Sequence, residues 1–277
     1  MNMRMLHAPD RAQAEEMWRT VFQDSPAFSA YYFTERFHPE YSFGSFDDDR
    51  LIAMALGRPT EIAVENRIVP AMLVAGVSTL PDYRKQGHMH RLMTLLIDRA
   101  KASGFACCYL HPVTESLYAS LGFQNGTEVT VIRSDAARAG KRFDLKESAA
   151  WEDMLSVYQT ISETHDGMQM RDRSEFQCVF RDYAADDAKT MIAYAQKRPV
   201  GYICYSDTDE VFELLALCAP AYTFLLDEAA KRTGRELKAI VPTDCGVAGE
   251  RRYSMQYLVF DNAFRLPLKN GFCCLAY

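Results

Sequence analysis

The sequence of 277 residues lacks the features of a membrane or secreted protein. Its longest apolar stretch, Leu214–Leu226, is too short to span a bilayer and is interrupted by Pro220. The first residues contain no apolar core before Asp10, Glu15 and Glu16, so a secretory leader is not expected. We therefore expect a cytoplasmic protein with no membrane partner.

Zinc and disulfide signatures are missing as well. The eight cysteines include no CxxC pair and no Cys/His spacing suited to zinc. Most of them stand in apolar or strand-like runs, which is typical of buried, reduced thiols. The sequence therefore predicts neither a metal site nor a disulfide framework.

Positive charge is not in excess, since the formal net charge is −6. This acidic balance disfavours a general nucleic-acid binder, which needs a basic surface. The hydrophobic fraction of 48% and the charged fraction of 25% are those of an average globular protein. At this length the chain forms one large domain or two small ones.

Hydrophobic periodicity predicts an α/β order of elements as far as Asp135. The predicted helices are Ala14–Phe22, a helix after Pro26, Met89–Ala100 and Thr114–Leu121. The predicted strands are Leu51–Leu56, Glu61–Val64, Arg67–Leu80, Phe105–Leu110 and Glu128–Arg133, with turns at Gly57–Pro59 and Glu65–Asn66. A polar segment, Ser134–Lys141, predicts a linker.

A similar order follows the linker. The predicted elements are a helix over Trp151–Ile161, a hairpin of Thr190–Ala195 and Val200–Tyr205, a strand Val211–Leu217, a helix Thr223–Arg232 and a strand Leu237–Val241. We therefore expect two units, 1–138 and 139–277, with chance similarity as the alternative. Pro81 and Gly104 are 23 positions apart, whereas Pro220 and Gly234 are 14 apart, so the second unit lacks nine residues. The missing nine residues correspond to the part of the first unit that contains Arg84–Met89.

The segment after Pro81 has the features of an anion-binding loop. A strand, a loop containing Gly87 and a helix leave unpaired N–H groups at the helix start, where the helix dipole favours an anion. The positive side chains of this turn are Arg84, Lys85, His88, His90 and Arg91. They suit a pyrophosphate with a further phosphate, and a solvated basic helix start is the alternative. No GxGxxG or Walker sequence is present.

Two stretches resemble motifs of the GCN5-related N-acetyltransferases (GNAT). Val77–Met89 resembles motif A, Arg/Gln-x-x-Gly-x-Gly/Ala after a strand, in which Arg84 and Gly87 match and Met89 replaces the last small residue. Pro112–Phe123 resembles motif B, in which Tyr-x-x-x-Gly-Phe recurs. The chain is also similar to the tandem acetyltransferases of the enhanced intracellular survival type. Longer members of that type add a sterol-carrier-like domain, for which we expect no room in this chain.

The resemblance implies an α/β (α+β) GNAT fold, with a mixed central sheet flanked by helices, in two tandem domains of which the second is degenerate. It also implies acetyl transfer from the co-substrate acetyl-CoA to a primary amine of a small molecule or peptide. Loop N–H groups would hold the pyrophosphate, and the strand would pair with the pantetheine arm. The implied acetyl-CoA residues are Val77, Ser78, Thr79, Arg84, Lys85, Gln86, Gly87, His88 and Met89.

Tyr118 is the implied general acid, because a phenol can donate its proton to a departing thiolate. A packed aromatic is the alternative. The strand Met72–Leu80 contains no carboxylate, so the general base stays open. The candidates are Glu115, His111 acting through water, and the terminal carboxylate at Tyr277, as in the longer relatives.

Aromatic residues ahead of the strands are candidates for the acceptor pocket, with a packed helix face as the alternative. They are Phe28, Tyr31, Tyr32 and Phe33. A carboxylate from Asp24 or Glu35 would favour a cationic amine.

Two other functions stay open. One is acyl transfer with another donor or acceptor, as in mycothiol synthase or the tRNA-dependent peptidoglycan transferases, although the acidic charge disfavours tRNA. The other is a catalytically degenerate CoA-binding or sensing protein, which Met89 and the unassigned base favour. A homo-oligomer is also left open.

Overall fold

The computed structural model describes residues 2–22, 24–135, 137–138, 140, 142–147, 150–208 and 210–273. The helices are α1 (Arg11–Phe22), α2 (Pro26–Glu35), α3 (His88–Ala102), α4 (Trp151–Ser162), α5 (Arg173–Ala185) and α6 (Ala219–Thr233). The strands are β1 (Asn2–Met5), β2 (Phe43–Asp47), β3 (Arg50–Val64), β4 (Arg67–Thr79), β5 (Cys107–Leu110), β6 (Gln124–Arg133), β7 (Asp144–Glu147), β8 (Lys189–Ala195), β9 (Arg198–Tyr205), β10 (Val211–Ala216), β11 (Lys238–Pro242) and β12 (Glu250–Val259). Among the described residues, no helix is long and apolar enough to cross a membrane.

The strands form two sheets. The larger has eight strands in the order β1-β2-β3-β4-β5-β12-β6-β11, and the smaller has four in the order β10-β9-β8-β7. Strands β4 and β5 pair in parallel, and the other described pairs are antiparallel. The expected mixed central sheet flanked by helices is confirmed.

Strands from the carboxyl-terminal part of the chain complete the larger sheet. β12 lies between β5 and β6 and pairs with both. β11 pairs with the other edge of β6. The division into 1–138 and 139–277 stays a prediction, and a cut at that point would separate neighbouring strands of one sheet.

The helices cover these sheets with apolar faces at helical spacing. Helix α3 buries a row that packs on β2–β5: Leu92, Met93, Leu96, Ile97 and Ala100. In α1, Trp18 stacks on Tyr32 of α2 with ring centroids 4.5 Å apart. Helices α4 and α5 pack on one face of the smaller sheet and α6 on the other, because alternate strand residues point to opposite faces.

The predicted turn at Gly57–Pro59 is wrong, since β3 runs through it without a break. Gly57, Arg58 and Pro59 pair in register with Val74, Leu73 and Met72 of β4. A Cβ on Gly57 would lie 2.6 Å from the backbone oxygen of Tyr41, so this glycine serves a close approach rather than a turn. Strand β2 pairs with β3 only as far as Ala55. Pro59 is therefore beyond the end of that ladder, where a missing N–H is tolerated.

The predicted helix over Thr114–Leu121 is also wrong. Its hydrogen bonds join residues three apart, as from the N–H of Leu117 to the oxygen of Thr114 at 3.1 Å. Only Ala119–Leu121 forms a short 3-10 turn, which ends at Gly122 with φ of +88°. The segment is thus a series of tight turns that presents Tyr118 at the start of the last one.

Helices α2 and α5 meet along a polar seam. The hydroxyl of Tyr31 donates to the backbone oxygen of Cys178 at 2.6 Å, and the hydroxyl of Ser25 donates to Asp186 at 2.9 Å. This seam holds α5, which comes late in the chain, against the amino-terminal helices.

Candidate active site

A cleft opens where β4 and β5 separate. Their parallel ladder joins only Ala71–Leu73 to Cys107–Tyr109. Beyond it, the end of β4 and the residues Leu110 and His111 line opposite sides of a cavity of about 440 Å³. This edge of β4, over residues 74–77, is therefore open to an extended ligand chain.

A bulge in β4 lies at this cavity. Ala75 pairs with Leu56 and Ser78 pairs with Met54, so β4 carries one residue more than β3 between these pairs. Gly76 has φ of +56°, and a Cβ on it would lie 2.6 Å from the Trp18 ring. Only glycine therefore fits the bulge. Val77, a predicted acetyl-CoA residue, lines the cavity beside it, whereas Ser78 is buried.

The loop before α3 has the expected anion-binding geometry. Gly87 caps the helix with φ of +78°, and Lys85 also has a positive φ, +61°. In the described structure, the backbone N–H groups of residues 85–90 donate to no protein oxygen. A Cβ on Gly87 would meet nothing within 4 Å, so space remains over these N–H groups. Such consecutive free N–H groups form a concave site for an anion.

Arginines hold this loop in shape. Arg84 Nε donates to the backbone oxygen of Thr79 at 3.1 Å, and Arg91 Nη2 donates to that of Gln86 at 3.1 Å. Arg84, Lys85 and Arg91 remain exposed. The loop therefore keeps a positive surface near its free N–H groups.

His88 differs from the expectation that it adds charge to the loop. Its side chain is buried, and Nδ1 lies 3.0 Å from the Ser45 hydroxyl of β2. Burial, and to a smaller extent the Arg91 charge, lower the pKa of His88, so the ring is neutral at pH 7. Met89 is half-buried against the apolar core beneath α3. Both side chains anchor the start of α3 in the core. These two residues therefore contribute only their backbone N–H groups to the loop.

Tyr118, the implied general acid, lies in the cavity wall. Its side chain is buried, with the ring centroid 5.9 Å from that of Phe123. Its hydroxyl makes no hydrogen bond to any described residue, and burial raises its pKa. A phenol that stays protonated and unpaired is suited to donate to a ligand in the cavity.

The other catalytic candidates are placed differently. Glu115 is exposed and does not line the cavity; its carboxylate accepts from Asn125 Nδ2 at 3.4 Å. His111 lines the cavity, and desolvation, with a smaller contribution from the Arg252 charge, lowers its pKa. Tyr277 lies outside the described residues.

Of the aromatic residues expected in the acceptor pocket, Phe28 lines the cavity. Tyr32 and Phe33 instead pack in the core with Trp18, and Tyr31 lies in the α2–α5 seam. Asp24 lines the cavity, whereas Glu35 forms an exposed ion pair with Arg181 at 3.6 Å.

The sequence did not predict part of the cavity wall, because the residues that form it come from the second part of the chain. Helix α5 and the start of β10 contribute Asp182, Tyr183, Asp186, Glu210, Val211 and Phe212. With Asp24 this makes four carboxylates around an aromatic cavity. The helix signal was present, because Phe176, Val179 and Tyr183 recur at helical spacing and are buried. No group of three or more metal-ligating side chains occurs within the ranges that the structure describes.

Comparison with known proteins finds one matching family model. Residues 2–126 match the sequence model of the acetyltransferase (GNAT) domain. The match covers slightly less than half of the chain, and we call this matched part the GNAT domain. The acyltransferase class expected from the two motifs is thereby confirmed. The GNAT domain contains the β4 bulge, the loop before α3 and Tyr118. No curated protein matches the sequence at the significance required.

Solved structures extend the likeness to most of the chain. Eis1 from Mycobacterium abscessus matches with a TM-score of 0.69 and 18% identity, over 94% of this chain and 74% of that one. A protein from Enterococcus faecalis described as a probable N-acyltransferase matches with a TM-score of 0.72 and 16% identity, over 93% and 72%. A GCN5-related N-acetyltransferase from Anabaena variabilis matches at 0.70 and 14%, over 93% and 72%. At these identities the likeness shows a shared fold, which includes the region beyond the GNAT domain.

Proposed function

We propose that the protein transfers an acetyl group from acetyl-CoA to a primary amine of a small molecule or peptide. The observation that carries the proposal is the cavity that joins the open edge of β4, Tyr118 and several carboxylates. The thioester side and the amine side of the reaction would thus meet in one place. Bringing the two reactants together supplies a large part of the rate enhancement of such a transfer.

The loop and the strand edge fit acetyl-CoA. The free N–H groups of residues 85–90, with the side chains of Arg84 and Lys85 nearby, suit the pyrophosphate. The edge of β4 beyond Leu73 has no strand partner on the β5 side and suits the amide groups of the pantetheine arm. Of the predicted acetyl-CoA residues, we propose backbone contacts for Val77 and Lys85–Met89.

Residues around the bulge then act on the bound thioester. The N–H of Val77 or of a neighbour in the bulge would polarise the thioester carbonyl, because backbone donors at the developing oxyanion lower the barrier. Tyr118 would donate its proton to the sulfur as the thiolate leaves. The aromatic lining from Trp18, Phe28 and Phe212 excludes water and takes up the apolar part of the acceptor.

Two measurements test this function. Saturating acetyl-CoA is expected to raise the unfolding temperature, because a ligand selective for the native state stabilises it. Release of CoA is then followed with a panel of primary amines against the rate of hydrolysis without amine. Absence of a thermal shift contradicts acetyl-CoA binding. A shift without amine-dependent CoA release favours the sensing function, and a shift with another acyl-CoA favours another donor.

A further inference from the structure

Asp182 is the most unusual polar residue of the cavity. It lies on α5, and only 2% of its surface is exposed. Neither carboxylate oxygen has a hydrogen-bond partner among the described residues. A buried carboxylate without a partner is costly, so it is retained where it has a use.

The neighbouring carboxylates are held by protein groups. Asp24 accepts from the indole N–H of Trp18 at 2.7 Å. Asp186, the C-cap residue of α5, accepts from the Ser25 hydroxyl at 2.9 Å. Both line the same cavity as Asp182. Asp182 is thus the buried carboxylate of this wall that no described protein group holds.

The nearest positive charges are directed elsewhere. Arg36, the C-cap residue of α2, donates from Nη1 to both oxygens of Glu175 at 2.9 and 2.8 Å, and Arg58 of β3 lies 3.8 Å from Glu175. Arg171 donates to both oxygens of Glu213 at 3.1 and 2.8 Å. None of the three forms a salt bridge with Asp182 in the described structure. Their charges still act on it from a distance.

The balance of these effects leaves Asp182 able to exchange a proton near neutral pH. Burial is the largest effect and raises its pKa to about 7. Arg36, Arg58 and Arg171 lower it, and Asp186 raises it. A carboxyl group of this kind is a better proton acceptor than an exposed aspartate and still ionises at physiological pH.

We propose that the Asp182 carboxylate receives the ammonium group of the acceptor amine and takes one proton from it. This inference rests on the proposed acetyl transfer and supplies the base that the sequence left open. The base then comes from the second part of the chain, which closes the cavity over the GNAT domain.

The atoms balance in four changes. One N–H bond of the ammonium breaks and its proton passes to Asp182, which later releases it to water. The nitrogen lone pair forms the N–C bond at the thioester carbonyl, and the C–S bond breaks. Tyr118 gives its proton to sulfur, and the second proton lost by nitrogen restores the Tyr118 phenol. The products are the amide, CoA thiol and one proton in solvent.

Asp182→Asn tests the assignment, with Asp187→Asn as the control, because Asp187 is an exposed aspartate just beyond α5 that does not line the cavity. Asp182→Asn is expected to lower kcat/KM about 100-fold, the usual contribution of a general base, while acetyl-CoA still raises the unfolding temperature. Asp182→Glu should recover part of the rate. The control should keep kcat/KM within a few-fold of the wild type.

The pH profile separates a base from a structural residue. For the wild type, kcat/KM is expected to level off above about pH 7, where Asp182 is ionised. The Asn variant depends on neutral amine from solution, so its kcat/KM should keep rising tenfold per pH unit. Its defect should shrink for aniline-type acceptors that carry no charge at pH 7. Equal profiles for the variant and the wild type would overturn the proposal.

A binding measurement needs no turnover. 2-Phenylethylamine combines an ammonium group with an aromatic body that suits the lining, and its affinity is measured by calorimetry. We expect at least a tenfold loss of affinity in Asp182→Asn and little change in Asp187→Asn. No binding to the wild type, or equal affinity in Asp182→Asn, overturns the assignment. Absence of turnover by the wild type with every amine contradicts the proposed function instead.

Discussion

Arg36, the C-cap residue of α2, and Glu175 of α5 form a double contact in which Nη1 donates to both carboxylate oxygens, at 2.9 and 2.8 Å. The Arg36 side chain is 6% exposed and that of Glu175 is 32% exposed. The pair joins two helices far apart in sequence and neutralises a positive charge beside Asp182. It therefore affects both stability and the cavity.

Glu175→Gln is expected to lower the free energy of unfolding by about 2 kcal/mol, because it leaves a buried guanidinium without its counter-charge. It should also lower the pKa of Asp182, because the Glu175 charge no longer offsets part of the effect of Arg36 and Arg58 on that carboxyl. The inflection of kcat/KM should move to lower pH. Urea unfolding and the pH–rate profile measure the two effects.

The matched control is Glu35→Gln, which breaks the exposed pair with Arg181 between the same two helices. Exposed pairs contribute about 0–1 kcal/mol, so little change is expected. Equal destabilisation by both substitutions would contradict the special role of the buried pair.

Tyr118→Phe tests the general acid. The substitution removes one hydroxyl that has no partner among the described residues, so the fold and the binding of acetyl-CoA should be kept. We expect kcat for acetylation of amines to fall by about 100-fold, because the departing CoA thiolate then lacks its proton donor. Steady-state kinetics and thermal shift measure these properties. Tyr253→Phe, at a residue that is 48% exposed, is the control. Unchanged kcat in the Tyr118 variant would exclude the hydroxyl as the acid.

Gly87→Ala tests the loop against Gly104→Ala. Both glycines flank α3 with similar positive φ, +78° and +81°, and a Cβ on either meets nothing within 4 Å. Each substitution is expected to cost about 1–2 kcal/mol of stability, the cost of a left-handed conformation for a residue with a side chain. Only Gly87→Ala should weaken the binding of acetyl-CoA, by about tenfold, because only the loop at Gly87 is proposed to hold the pyrophosphate. Calorimetry with acetyl-CoA decides this, and equal affinities would contradict the loop assignment.

The stability of the protein should depend on Asp182 through pH. Its pKa of about 7 in the folded state exceeds the ordinary value of 3.8, so the folded chain binds this proton more tightly than the unfolded chain. Its contribution is complete below about pH 4 and is lost as pH rises through 7. A shift of this size corresponds to up to about 4 kcal/mol.

Asp182→Asn should therefore gain stability relative to the wild type as pH rises from about 5 to about 8. Urea unfolding at both pH values gives the difference between the two proteins, which removes the contribution of other groups. The exposed Asp98 of α3 provides Asp98→Asn as the control, for which a constant difference is expected. A constant difference for Asp182→Asn would contradict its shifted pKa.

Local patterns were sufficient to predict the elements on which we propose that the acetyl donor binds. The periodicity of α3, the glycine at its cap and the strand before it predict the anion-binding loop, because each depends on residues adjacent in sequence. The bulge at Gly76 was not predicted, since it reflects the register between β3 and β4 and the packing of Trp18. Registers of this kind are set by tertiary contacts rather than by composition.

The acceptor side could not be placed from the sequence. Asp182 lies far from Tyr118 along the chain and reaches the cavity only through the α2–α5 seam. The pattern did hold a hint, because Asp182 falls among Phe176, Val179 and Tyr183 on the buried face of one helix. A carboxylate on an apolar helical face is a signal for a functional group, but it does not reveal which cavity that face lines.

The position of β12 has a consequence for synthesis of the chain. Leu110 of β5 pairs with Gln256, which leaves the ribosome much later. At a synthesis rate of about 5–20 residues per second, the delay between the two is roughly 7–30 s. Throughout that time β5 has its ladder with β4 on one side and an unfilled strand position on the other. The sheet of the GNAT domain is therefore completed only after β12 has been made. A nascent chain that ends at β11 still exposes the edge of β5 that β12 will cover, and such an apolar edge can bind chaperones.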